Sequence, residues 1–244
     1  MKRNLMTAIL AGAFAFGLFI TPVIADETES SIARGGKLYD KWYKVIKADT
    51  PKAAHKAYPK TAKRQKAKDN WRCKECHGWD YRGIEGAYSD SSHTTGFIGS
   101  IGAADMSAEE IVGWLDGTSN ADHDFSAYMD EAAMDMFVAF FQTNAIDQTL
   151  YVNDDKTVNG DVATGQEFYQ AGCARCHGDD GQEINFGDDD NPKYLGDVAR
   201  DNPWETLHKA ANGQPAEGMP GGLNLGWSWQ DLADTLAYTL TLGE

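Results

Sequence analysis

No cysteine stands outside two short motifs. The chain of 244 residues has four, and all fall in "WRCKECHGWD" at 71–80 and "GCARCHGDD" at 172–180. Past residue 25 no apolar run approaches the ~20 residues that a bilayer span needs, so nothing beyond the N-terminus is expected to cross a membrane. Basic residues are scarce after Arg72: residues 73–244 hold 7 Lys and Arg against 31 Asp and Glu. A body this negative does not hold nucleic acid by charge, and it is steered toward a basic partner. Solubility alone also explains most of these acids.

The N-terminus has a different character. Lys2 and Arg3 precede the apolar run Leu5 to Ile20, Pro22 breaks it, and "VIA" at 23–25 precedes "DETES". That order predicts a secretory signal peptide over residues 1–25, cleaved after Ala25; the rival is a retained membrane anchor. Export implies the periplasm, an oxidising compartment in which cysteines ordinarily pair. Residues 26–72 are basic, with 13 Lys and Arg against 6 Asp and Glu. Aromatics make up 11% of the chain, which suits the wall of a large flat ligand.

Each cysteine motif reads Cys-x-x-Cys-His. A zinc ribbon sets its two pairs roughly 15–20 residues apart, far closer than these. A redox disulfide needs no histidine after its second thiol. Covalent haem attachment explains the whole pattern: two thiols add to the porphyrin vinyl groups, and the adjoining imidazole turns onto the iron. One helical turn brings both sulfurs to one edge of the ring.

The chain repeats itself around these motifs. In the second half Asn202 caps a helix that has Pro203 at its first position and Glu205 two later; it stops at Gly213, with Trp204, Leu207 and Ala211 as its buried stripe. Six residues on lies Met219, in "GMPGG". In the first half Ser107 and Glu110 form a capping box, with Met106 and Ile111 as a staple, and that helix ends at Gly117. Six residues on lies His123. Both halves then enter an amphipathic helix, marked by Met134, Phe137, Val138 and Phe141, and by Leu232, Leu236 and Leu240. The opening helices are "GGKLYDKWYKVI" at 35–46 and "GQEFYQAGC" at 165–173. The predicted organisation is an all-α chain in two haem domains, 26–150 and 151–244, joined by the polar stretch 152–161. A basic insertion at about 47–70 distinguishes the first.

This layout resembles the class I c-type cytochromes. Two such units in tandem behind a signal peptide are similar in plan to cytochrome c4, a dihaem electron carrier of bacterial respiratory chains. The resemblance covers most of residues 30–242 and implies two tandem cytochrome c-like domains, each around one covalently bound haem c with its iron. Carried over by position, Cys73, Cys76 and His77 attach and ligate haem 1. Cys173, Cys176 and His177 do so for haem 2, with Met219 as its distal ligand. The family expects methionine in both distal positions; the first half offers His123, with His93 and Met129 as alternatives.

His55, in the insertion, and His208, on a helix, are expected to meet solvent or a partner. Trp71, Trp79, Tyr81 and Trp227 line haem crevices or simply pack, and the acidic run at 187–191 is a solvated loop. The expected function is electron carriage between a redox donor and a redox acceptor. If His123 ligates, haem 1 has the lower potential. The basic insertion is either one of two docking faces or a free loop. The alternatives are a dihaem oxidoreductase with haem 1 as active site, or a haem subunit of a larger dehydrogenase or oxidase. An enzyme using a distal cysteine is excluded, because attachment consumes all four thiols.

Overall fold

A computed structural model describes residues 30–90 and 92–243; the expected signal peptide lies outside the described residues. The apolar stripes with helical period become helices, and among the described residues no strand forms, only isolated bridges such as Gly83–Ile98. In the first half these are α1 (Ser31–Val45), α2 (Ala67–Asn70), α3 (Cys73–His77), α4 (Ala108–Leu115) and α5 (Glu131–Thr143). The second half has α6 (Val162–Gly172), α7 (Ala174–His177), α8 (Leu195–Asp201), α9 (Pro203–Asn212) and α10 (Trp229–Thr239). No helix among the described residues is long and apolar enough to cross a membrane.

The caps read from sequence form. The Ser107 side chain accepts from Glu110 N, and Glu110 accepts from Ser107 N at 2.8 Å. The Asn202 side chain accepts from Glu205 N, with Pro203 in the first turn. Gly117 and Gly213 take φ of 82° and 89° just past α4 and α9, a conformation that costs a side-chain-bearing residue about 1 kcal/mol or more. Two boundaries differ from expectation. α1 begins at Ser31 because Ser30 supplies a cap, its hydroxyl accepting from Ala33 N at 3.2 Å. α8 was not foreseen: its seven residues carry too little apolar period, and it is held by Arg200, which donates to Leu240 O and Leu242 O at the end of α10.

Each half is built on one helix crossing, α1 on α5 and α6 on α10. Both crossings close on a glycine. A Cβ on Gly35 would overlap Met136 O, and one on Gly165 would overlap Asp234 O. Four residues after each glycine stands a buried tyrosine. Tyr39 donates to Gly78 O at 2.6 Å and Tyr169 to Gly178 O at 2.7 Å, so each opening helix is tied to the residue after a CxxCH motif. We expect Gly35→Ala and Gly165→Ala each to destabilise the protein by about 1–3 kcal/mol through overpacking, read as a lower urea midpoint with an unchanged slope. Equal midpoints for variant and parent would show that the helices can move apart without cost.

The first half packs Leu38, Tyr39, Trp42, Phe137 and Phe140, all fully buried. The second packs Leu207, Leu232 and Leu236, and recruits Trp79 and Tyr88 from the first. α9 lies on α1, where Gly36 meets the Asn212 side chain. The stretch 152–161, expected as a linker, is part of the packing: Val152 is buried and bridges Val158, and Gly160 abuts Ala233. The insertion is also folded. Its lysines, from Lys52 to Lys68, are exposed, while Pro51, His55, Tyr58 and Asn70 are buried. The free-loop expectation therefore fails. A single period-free segment gave no sequence sign of an inner face.

Candidate metal centre

α3 is a single turn that carries Cys73 at its start and His77 at its end, as haem attachment requires. Gly78 follows with φ of 79° and ends the helix. Cys73, Cys76 and His77 all line a cavity of about 360 Å³, within the ~300–1,000 Å³ usual for a ligand site. Its other walls are largely apolar, among them Trp71, Ile98, Leu115, Phe125 and Phe137. Of the four aromatics singled out from sequence, Trp71 faces this crevice. Trp79 and Tyr81 turn to the junction of the halves, and Trp227 packs on Phe168.

His123 reaches the same cavity from the loop after α4. Its ring centroid lies 6.2 Å from that of His77, with the planes at 68°. Two imidazoles bound to opposite sides of one metal, each with a bond of ~2 Å, have ring centres roughly 6 Å apart, so the pair fits an iron between them. The hydrogen bonds of the rings agree. His77 Nδ1–H donates to Ile98 O at 2.8 Å, and His123 Nδ1–H donates to Trp114 O at 2.7 Å. A proton held on Nδ1 leaves the Nε2 lone pair for a metal. Enclosure lowers His77 to about 4, with the Ile98 carbonyl opposing the shift, so this ring is neutral near pH 7, the form that ligates.

The other readings of the cysteines fare worse. No disulfide joins the four cysteines, and burial pushes Cys73 and Cys76 up to about 12 and Cys173 to about 11. Reactive CxxC thiols are shifted the other way. Among the described residues no cluster of three His, Cys, Asp or Glu is placed to hold a metal ion.

The alternatives for the distal position lie elsewhere. His93 shares a hydrogen bond with Glu75 at 3.0 Å and stacks on Tyr88; Met129 is buried in the first core. Neither lines the cavity, whereas Met106 does. Two histidines depart from expectation. His208 is fully buried at the junction, accepting from Tyr81 O–H at 2.6 Å and donating to Gly36 O at 3.0 Å. His55 is buried and lines the crevice. Neither meets solvent, because long-range packing closes over both.

In the second half the motif repeats its local geometry. Gly178 takes φ of 81°, and Glu183 N donates to His177 O at 3.0 Å as Gly83 N does to His77 O at 2.8 Å. The Asp180 carboxylate accepts from Gln182 N as Asp80 does from Arg82 N. His177 is half-buried, stacks on Phe186 at 6.2 Å, and has its Nδ1 buried without a hydrogen-bond partner. Met219 lies in the loop after α9, which α1 steadies: Lys37 Nζ donates to Met219 O at 3.4 Å. The pairing of His177 with Met219 rests on the register of the repeat.

Residues 160–238 match the family model described as cytochrome C oxidase, cbb3-type, subunit III. No curated protein matches the chain. The matched stretch holds α6 to α10, with Cys173, Cys176, His177 and Met219. The match supports a cytochrome c domain over this stretch, of the kind that implies covalent haem c, iron and electron transfer.

Proposed function

We propose that the protein is an exported, periplasmic dihaem c-type cytochrome that carries electrons between two redox proteins. Haem 1 is attached at Cys73 and Cys76 and held between His77 and His123. Haem 2 is attached at Cys173 and Cys176 and held between His177 and Met219. The observation that carries the reading is the His77–His123 pair across an apolar crevice that also presents both thiols. When bound, the iron of each haem supplies a one-electron couple.

The chain's own residues favour carriage over catalysis. His77 and His123 would together hold an iron in the first crevice and would leave no open position on it for a substrate. Phe125, Phe137 and Leu115 keep water from that space, and the carbonyls of Ile98 and Trp114 hold the rings in place, so little rearranges when charge changes. In the second half a thioether replaces one imidazole, which raises a haem potential. A spectroelectrochemical titration of the exported protein is expected to show two separate waves, the lower belonging to the haem without a methionine–iron band. Two coincident waves, or a colourless protein, would remove the reading.

The second reading, a haem subunit of an oxidase, draws on the description of the matched family. Co-purification with an integral membrane complex favours it; recovery as a free protein favours the carrier.

A further inference from the structure

Three histidines face the first crevice, and their hydrogen bonds divide them. His77 and His123 each donate through Nδ1 to a backbone carbonyl, which leaves Nε2 as a lone pair. His55 is the reverse. Its Nδ1 accepts from Ala57 N at 3.3 Å, so the proton stands on Nε2. That Nε2 is buried and has no hydrogen-bond partner. Of the buried side-chain nitrogens and oxygens left unpaired among the described residues, it alone belongs to a residue lining this crevice. A buried donor without an acceptor destabilises the fold, a cost that a bound acceptor would lift.

The ring is held in place. It meets Trp71 edge to face at 4.4 Å and leans on Phe125 at 5.2 Å and His123 at 5.8 Å. Its backbone N–H donates to Asn70 Oδ1 at 3.1 Å, and Trp71 Nε1 donates to Ala53 O at 2.8 Å. The insertion is thus stitched to the approach of α3 at His55 and two residues before it, and the second half has no counterpart to it.

We propose that His55 is a positioning residue of the first crevice, donating its Nε2–H to an anionic oxygen held there. The acceptor is a carboxylate, either one carried by the tetrapyrrole or that of a small free acid beside it. The tautomer speaks against His55 as a third iron ligand. This inference rests on the reading of the crevice as a haem site. A donor that spreads the carboxylate charge favours the reduced iron, so its removal lowers the potential.

The test uses the full exported protein. His55→Phe keeps a ring against Trp71 and removes the donor. The first haem is expected to become about tenfold harder to reduce, ~59 mV for one electron, with its axial-ligand spectrum and the second haem unchanged. His55→Gln, whose amide nitrogen reaches the place of Nε2, is expected to recover the shift. His55→Asn, which reaches only the place of Nδ1, is expected not to, and it serves equally if the phenylalanine variant binds haem poorly. Titrations with and without formate at constant ionic strength separate the sources. A formate-dependent potential in the parent, lost in His55→Phe, identifies a free acid; independence identifies the carboxylate of the tetrapyrrole. A potential unmoved in both His55→Phe and His55→Asn, or one left low in His55→Gln, overturns the inference while the carrier reading stands. A parent protein with no haem in the first crevice overturns both.

Discussion

His123→Ala is expected to leave the first haem attached and turn its iron from low-spin to high-spin. Attachment depends on Cys73 and Cys76, and proximal ligation on His77; none of the three relies on the loop after α4 for its place in α3. The distal imidazole, by contrast, is held by the Trp114 carbonyl and by packing against Phe125, His55 and the Trp114 ring. Its removal opens one axial direction inside an apolar cavity. Carbon monoxide, expected not to bind the reduced parent, is then expected to bind one haem per chain. Absorption spectra of the reduced variant with and without the gas decide it. A variant that stays low-spin and closed to carbon monoxide would give the distal role to another residue, with Met106, which also lines the crevice, a candidate. The same measurement bears on function, since a parent that binds the gas readily would favour the oxidoreductase reading.

The junction of the two halves is expected to weaken in acid through His208. Burial lowers this imidazole to about 4, against opposing influences from Asp40 and the Gly36 carbonyl. The neutral ring satisfies Tyr81 and Gly36 together. The unfolded chain takes up its proton near pH 6.5 and the folded one near 4, so the unfolded state binds more protons in that window. The stabilisation is complete above about pH 6.5 and falls away as pH drops toward 4, by about 3 kcal/mol at most. His208→Phe removes this dependence. It also takes the acceptor from the Tyr81 hydroxyl, at about 1–3 kcal/mol. Denaturant melts at pH 7 and pH 4.5 are expected to show a large gap between parent and variant at the higher pH and a smaller one at the lower. Parallel losses would mean that His208 carries its proton in the folded state.

Much of this was open to a reader of the sequence because it is local. A CxxCH run is one helical turn, so its chemistry needs no distant contact to be recognised. Capping follows from neighbours three residues apart, as at Ser107 and Glu110, and amphipathic spacing marks Phe137 and Leu236 as inward-facing wherever their helices dock. The position of His123 emerged from repetition, six residues past a glycine as Met219 is in the other half.

What escaped depends on contacts far apart along the chain. His208 lies 127 residues from Tyr81 and 172 from Gly36; its place between Leu207 and Ala211 on the inward stripe of α9 marks a buried face, but the period does not say which segments cover it. His55 sits among lysines, which predict exposure; its burial follows from Trp71 and Phe125 closing over it. The amino-acid order alone determined the attachment motifs, the amphipathic helices and the caps at Ser107 and Asn202, because each is settled within one or two turns of chain, whereas α8 depends on Arg200 reaching the end of α10. Only the tertiary structure decided which imidazoles share a crevice and which ring nitrogen each one leaves free, because carbonyls and amides supplied by other segments set the tautomer.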